Sequence, residues 1–512
     1  MRPSFTTLGA TPRPSPRPLS HGGGLSRLTR TLLFLVSGTA ASCVVAQTPA
    51  TDDYIQNALC VDGTTKLCST LPSDLPNLTV NAGYTPNTNA IAPGDTLGQI
   101  NFDYFAWQMF VALNWPADGS AITTDLAAPR VWESYKTPEE VYPPAAPVAQ
   151  ACPNAAGRLM LFRSSKFKVS SFIEPFTSYP LIDSAGNFVL YDVRLNDAEA
   201  GYIAKYSLST KAGQEAFGKP WDLPPGHDGT PGAIEIKTAW RIFSKDVQGA
   251  ADAAGYFTLP ATVIVPADHS ETGQALCLEV TAGLVGMHIM QKITNPPEFS
   301  DFWVWGTFEH VRNAPTAAMA TVSQMNKDST ASELDPVTSC PTPATTGDWS
   351  FFNAACTKGG AACTPNDPPP APATGKDYLW KAAPPYAGTY LTDGKYGTQA
   401  TRCWAIYETA KTVTRQFQTA LGGSVWANYE LVGTQWAQAA IVEYPSPLKP
   451  FPAPVYLTNT TLETYLQIDP VIDPTTHLPN QNASGSCITC HALATDAAGN
   501  DSNFSFLAGR AR

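Results

Sequence analysis

Cys487-Ile488-Thr489-Cys490-His491 constrains this 512-residue chain more than any other stretch, because C-x-x-C-H is the spacing at which haem is attached covalently. The two thiols add to the vinyl groups of the porphyrin, and the histidine that follows is held beneath the iron as its proximal ligand. A C-x-x-C pair alone also serves as a redox couple or as half of a zinc site. No other two cysteines stand three apart, so the second half of a zinc site is missing. The motif predicts one haem c, bound through Cys487 and Cys490, with His491 on the iron.

Its position is as informative as its letters. Only residues 492–512 follow it, and none is methionine. A standard class I cytochrome c domain places its haem motif near its start and takes a methionine ligand from much later. The expected arrangement here is a haem-bearing C-terminal tail docked on a large body, with any sixth iron ligand drawn from upstream. His227, His269 and His477 sit in turn-like or proline-rich surroundings. His288 and His310 are each embedded in a strand-like run, and neutral imidazole is a good iron ligand or proton relay. His288 is the first candidate for the distal side and His310 the second, with the thioethers of Met287 and Met290 as alternatives.

Arg27 and Arg30 precede the apolar run Thr31–Val36, and Val44-Val45-Ala46 supplies a small-residue cleavage site. Residues 1–46 therefore read as a Sec-type signal peptide, with an apolar run too short to span a bilayer. Ala40-Ala41-Ser42-Cys43 lacks the leucine of a lipoprotein box, so cleavage rather than lipid anchoring at Cys43 is expected. Removing residues 1–46 takes away five arginines and no acidic residue, leaving 27 basic against 43 acidic side chains, a net charge of −16. That balance argues against nucleic acid as a partner and suits a periplasmic protein whose acidic surface serves solubility or, alternatively, steers a basic redox partner. Apart from Cys43 and the haem pair, eight cysteines remain, enough for four disulfides in an oxidising compartment. Cys60–Cys68 and Cys356–Cys363 are candidate local loops, and Cys277, in an apolar run, is a candidate buried thiol.

The pattern between these landmarks is α+β with a β-rich, mostly antiparallel centre and peripheral helices. Phe102, Phe105, Met109 and Leu113 fall at helical spacing, ending before Trp115-Pro116. Thr137-Pro138-Glu139-Glu140 and Asn196-Asp197-Ala198-Glu199 have the form of helix starts. Strand-like runs cover 188–195, 233–243, 256–265, 275–281, 284–293 and 302–310. A Pro/Gly/Cys-rich insertion occupies about 335–402, and 404–421 reads as a helix stopped by Gly422-Gly423. The organisation is thus a signal peptide (1–46), a body (47–440) that carries the insertion, and a proline-rich segment with the haem tail (441–512).

In Ile234-Glu235-Ile236-Lys237-Thr238-Ala239-Trp240-Arg241, alternation puts Ile234, Ile236 and Trp240 on one face and Glu235, Lys237 and Arg241 on the other. The charged side is either a solvated sheet face or, with Glu309 nearby, the polar wall of a cavity that takes an anion or the propionates of haem. Lys237, His288, Glu309 and His310 are accordingly the candidates for any catalytic role.

This last segment resembles a group of exported bacterial proteins described as cytochrome c family proteins. The resemblance extends to Phe110–Pro116, Trp305–His310, Tyr429–Trp436 and the terminal Cys487–His491. Outside the haem motif, these shared segments imply no known chemistry. A weaker likeness is to the cytochrome P460 group, which is β-rich and carries its haem motif close to the C-terminus, followed by acidic and aromatic residues as in Asp501–Phe506. That likeness implies a lysine cross-linked to haem, for which Lys237 or Lys292 is available but neither is fixed by a motif. Three functions follow: a mono-haem electron carrier, a haem enzyme with an open distal site acting on peroxide or small nitrogen compounds, and a haem-based sensor. Electron transfer asks least of the motif and is the leading expectation.

Overall fold

The computed structural model describes residues 67–73, 96–124, 126–143, 152, 159–162, 179–227, 229–243, 247–293, 302–322, 346–356, 363–369, 372, 378–437, 452–454, 456–467, 486–492 and 494–512. The expected signal peptide, Cys43, Cys60, Cys340 and His477 lie outside these residues. The strands are β1 (Leu159–Phe162), β2 (Leu190–Leu195), β3 (Ile234–Phe243), β4 (Thr258–Val265), β5 (Leu276–Ile293), β6 (Phe302–His310), β7 (Thr316–Val322), β8 (Arg402–Ala405), β9 (Tyr429–Ala437) and β10 (Pro452–Ala453). The helices are α1 (Thr96–Leu113), α2 (Pro138–Val141), α3 (Asp197–Lys205), α4 (Lys211–Phe217), α5 (Val247–Ala253), α6 (Glu408–Leu421) and α7 (Cys487–His491). The body is α+β and β-rich, as its alternating runs predict, and its main sheet is mostly antiparallel. No helix among the described residues is long and apolar enough to cross a membrane.

β5 organises the sheet. Its first half pairs with β4 and its second half with β6, while β3 runs along its other edge from Thr281 to Gln291. β2 extends the sheet beyond β3, and β9 and β10 extend it beyond β6. The sequence pattern suggests two strands here, broken near Gly283, but one strand of 18 residues forms. A reversal needs turn residues that tolerate positive φ at the right spacing, and Ala282-Gly283 alone does not supply them. Gly283 instead makes room for a neighbour, since a Cβ there would lie 2.3 Å from the Phe243 ring.

One face of the sheet is covered by α1 and α6. Phe110 stacks on Phe308 of β6 at 4.3 Å, and Trp107 stacks on Phe417 of α6 at 5.0 Å. α1 is buried on nearly all sides, which explains an apolar composition with no clean stripe. Gly306 permits its close approach, because a Cβ there would meet the Cβ of Ala106 at 2.9 Å. α6 begins at Glu408, later than its apolar periodicity suggests, because Arg402–Ala405 pairs as β8 with β7.

The opposite face is covered by two late segments, a strap at 456–467 and the tail at 486–512. A Cβ on Gly286 would sit 2.2 Å from Thr461 Oγ1, so the bare glycine lets the strap lie flat on the sheet. Disulfides Cys152–Cys277 and Cys356–Cys363 are present, and Cys68 and Cys403 are disulfide-bonded as well. Cys277 is therefore cross-linked, contrary to the buried-thiol expectation.

Candidate haem site

Haem attachment requires the two thiols and the imidazole on one side of one turn. α7 does this: positions 487, 490 and 491 are related as i, i+3 and i+4, which share a helix face. Cys487 and Cys490 are the described cysteines outside disulfides. Burial, then the nearby Glu463 and Cys490, push the Cys487 thiol well above its ordinary range, so it is protonated at neutral pH. The start of α7 is pinned to the sheet by Gln435 of β9. Gln435 Nε2 donates to Pro454 O (2.6 Å) and Ser486 Oγ (3.0 Å), and its Oε1 accepts the Ile488 N–H at 2.8 Å. Nothing in the sequence marks this buried glutamine as an anchor, because its partners lie far along the chain.

His491 is held in one tautomer. Its Nδ1–H donates to the carbonyl of Phe504 at 2.8 Å, and burial pulls the imidazole down to about 4. Near neutral pH the ring is therefore uncharged, with the lone pair on Nε2. A backbone carbonyl on the second nitrogen is the usual support of a metal-ligating histidine. The ring is walled by Phe506 (5.1 Å, edge-on) and Trp305 (6.0 Å). The tail is bound to the body by Trp221, whose N–H reaches Asp501 O at 2.8 Å, and by Gln214, whose Nε2 reaches Ala508 O at 2.9 Å.

Strand partners share a face, so the residues beneath the motif can be named from register. One row contains Glu235, Met290, Trp305 and Gln435, and the next contains Lys237, His288 and Thr307. His288 Nε2 bonds to Glu463 Oε1 of the strap at 2.7 Å. Burial works to raise the Glu463 carboxyl, but His288, Lys237 and the Asn459 N–H outweigh it and hold it below the ordinary range. The cluster sits beside the motif, because Trp305 of the adjoining row packs 6.0 Å from the His491 ring and Cys487 Sγ lies 4.0 Å from the carbonyl of Leu457 in the same strap. Lys237 also lies over the Tyr191 ring at 5.1 Å.

Other candidates are placed elsewhere. His310 ends β6 away from the motif's rows, stacked on Tyr256 at 3.7 Å, with Nε2 on Gly255 O and Nδ1 accepting the Arg312 N–H. Both nitrogens are committed, so His310 is a structural histidine and its expected distal role is withdrawn. Met287 packs in the helix-side core, where its sulfur accepts from Asn114. Glu309 is on the motif's face but both its oxygens are taken, by Arg402 at 2.8 Å and by the N–H and hydroxyl of Thr460. Its role in this arrangement is to anchor the strap to the sheet. On the charged side of β3, Glu235 and Arg241 are buried, so this side is not a solvated sheet face. Arg241 pairs with Asp183 at 2.7 Å, and Lys292 pairs with Asp222 at 2.7 Å.

Glu235 has an unexpected partner. It faces Glu199 of α3, and both carboxyls are buried and raised, by desolvation first and, for Glu199, by its neighbour second. Glu199 Oε2 and Glu235 Oε1 meet no donor unless one of the two acids keeps its proton. Ser505 of the tail donates to Glu199 at 3.3 Å, so this acid pair lies directly under the tail.

The residues present fit haem: two thiols on one helical face, a neutral proximal imidazole of fixed tautomer, and aromatic walls. No group of three or more His, Cys, Asp or Glu among the described residues is arranged to hold a bare metal ion. Haem iron asks for less, because the porphyrin fills its equatorial positions. No protein family, curated protein or solved structure matches this chain.

Proposed function

We propose that the chain is an exported c-type cytochrome that holds one haem through Cys487 and Cys490, with His491 as proximal ligand, and passes single electrons to a periplasmic partner. The observation that carries the reading is the His491–Phe504 hydrogen bond, which leaves Nε2 as a lone pair in a ring kept neutral by burial. Haem iron supplies a one-electron ferric–ferrous couple, and the chain's contribution is to orient its ligand and enclose the site. Trp305, Phe504 and Phe506 exclude water from the histidine side. The disulfides favour an oxidising compartment.

The test is the mass and spectrum of the full chain produced with haem-attachment machinery. Haem retained after denaturation, and lost when Cys487 and Cys490 are replaced by serine, supports the reading. A denatured chain of unmodified mass overturns it. A six-coordinate low-spin spectrum unmoved by carbon monoxide favours the carrier, whereas high-spin iron that binds carbon monoxide favours the enzyme or sensor.

A further inference from the structure

A second imidazole on the same face repeats the arrangement of His491 with its nitrogens exchanged. His288 Nε2 is 2.7 Å from Glu463 Oε1, and the other oxygen of Glu463 accepts the Asn459 N–H at 2.9 Å. Both side chains are largely buried, 16 % and 17 % exposed. A carboxylate on Nε2 places the proton of that bond on Nε2, which leaves Nδ1 as an acceptor. Nδ1 is buried and has no hydrogen-bond partner among the described residues. The nearest row-mate with a hydroxyl, Thr307, is engaged with Asn459 Nδ2 at 2.8 Å. A buried polar atom without a partner is unfavourable, so a lone pair left this way calls for an occupant.

The histidine is fixed from both sides. β5 holds its backbone between β3 and β6, with Lys237 and Thr307 as row neighbours. Glu463 comes from the strap, which Glu309, Arg402 and Thr460 lock to the sheet. A ligand that must not swing away from iron needs such support, and a carboxylate behind the imidazole also raises its basicity. His288 lies one row from Trp305, whose ring centroid is 6.0 Å from that of His491.

We propose that Nδ1 of His288 is the second axial ligand of the haem iron and that Glu463 is the positioning residue that fixes its tautomer. The inference rests on the haem reading above. It makes the iron six-coordinate and closed to substrates, which deepens the carrier assignment. Lys237 is then a charge beside the site and not a haem cross-link.

The experiment compares the haem-bearing full chain with His288→Ala and Glu463→Gln by optical and electron paramagnetic resonance spectra, with mass spectrometry of each denatured chain. The parent is expected to be low-spin and slow to bind carbon monoxide when reduced. His288→Ala should become high-spin and bind carbon monoxide readily. Glu463→Gln should stay low-spin with a raised midpoint potential, because a less basic imidazole stabilises ferric iron less. A His288→Ala chain that carries haem and keeps the parent spectrum overturns the ligand assignment alone. A high-spin parent overturns it without any variant, which covers the case in which His288→Ala fails to fold. Absence of haem from the denatured parent overturns the haem reading and this inference together.

Discussion

Nδ1 of His491 lies 2.8 Å from the carbonyl oxygen of Phe504, and that carbonyl is presented by a backbone that is left-handed at two successive non-glycine residues. Asn503 has φ of +54° and Phe504 has φ of +71°. Left-handed backbone costs an L-residue about 1–2 kcal/mol, less for asparagine, so the turn is held by its surroundings. The Asn503 N–H donates to Asp501 Oδ1 at 2.7 Å, and the Phe504 ring packs against Trp305 at 5.5 Å.

Asn503→Gly is therefore expected to be near neutral in stability, and Asn503→Val to cost about 1–2 kcal/mol because a β-branched side chain resists this φ. Urea denaturation measures both. Nitrogen NMR of the His491 ring should report a shifted tautomer balance in the valine variant. Equal stability of the two variants would show that the turn does not strain the chain.

Glu309 and Arg402 form an ion pair with side chains 0 % and 3 % exposed. Breaking a buried pair from one side typically costs about 3–5 kcal/mol, because the remaining charge keeps its desolvation penalty. Arg402→Met should fall in that range. The double variant Arg402→Met, Glu309→Gln should lose less than the sum of the two single losses, since no lone charge remains at Glu309. Additive losses in denaturant titrations would count against a direct pair.

The pattern of β-branched and aromatic residues makes β3 and β6 legible almost to the residue, since each is a run rich in such residues. The start of α2 was equally readable, because Thr137 and Glu140 exchange the bonds of a capping box. Partners that depend on long-range pairing were hidden. Alternation puts His310 with Phe308 and Gly306, but only the packed sheet shows that Tyr256 stacks on its ring and Gly255 O meets its Nε2. Glu199 sits in a helix-start pattern, yet its side chain turns to Glu235 on a strand that no local rule links to it. Glu463, Gln435 and the fit between strap and sheet were invisible for the same reason.

The Cys152–Cys277 disulfide spans a separation of 125 residues, whereas Cys356–Cys363 spans 7. Chain-entropy arguments give about 5 kcal/mol for the long loop and about 2.5 kcal/mol for the short one. Replacing Cys152 and Cys277 with alanine should lower stability by roughly twice as much as replacing Cys356 and Cys363. Denaturation of the two double variants, under conditions that preserve the remaining bridges, checks the ordering. A larger loss from the short loop would show that native packing, not loop closure, sets the contribution.

The Glu199–Glu235 pair makes stability depend on pH in a defined direction. Both folded-state pKa values are raised, by burial first. Tyr142, Ser505 and Arg510 are the other polar groups facing the pair, and Arg510 partly offsets the cost at Glu235. A raised carboxyl binds its proton more tightly when folded, so its favourable contribution is complete below the ordinary glutamate range, about 4.3. It is lost as pH rises from there through the folded values. Each proton that the folded chain binds in excess lowers unfolding free energy by about 1.4 kcal/mol per pH unit in that window. Other raised carboxyls, such as Asp103 and Asp192 (both to about 6), add to the parent slope. The informative quantity is therefore the difference between chains. Glu199→Gln keeps a donor for Glu235 but carries no proton to lose, so as pH rises above the ordinary glutamate range its stability should fall less steeply than the parent's. Because Ser505 ties the pair to the tail, tryptophan fluorescence near Trp305 should report tail release at lower pH in the parent than in the variant. Parallel stability curves for the two chains would mean that Glu199 and Glu235 share no proton in the folded protein.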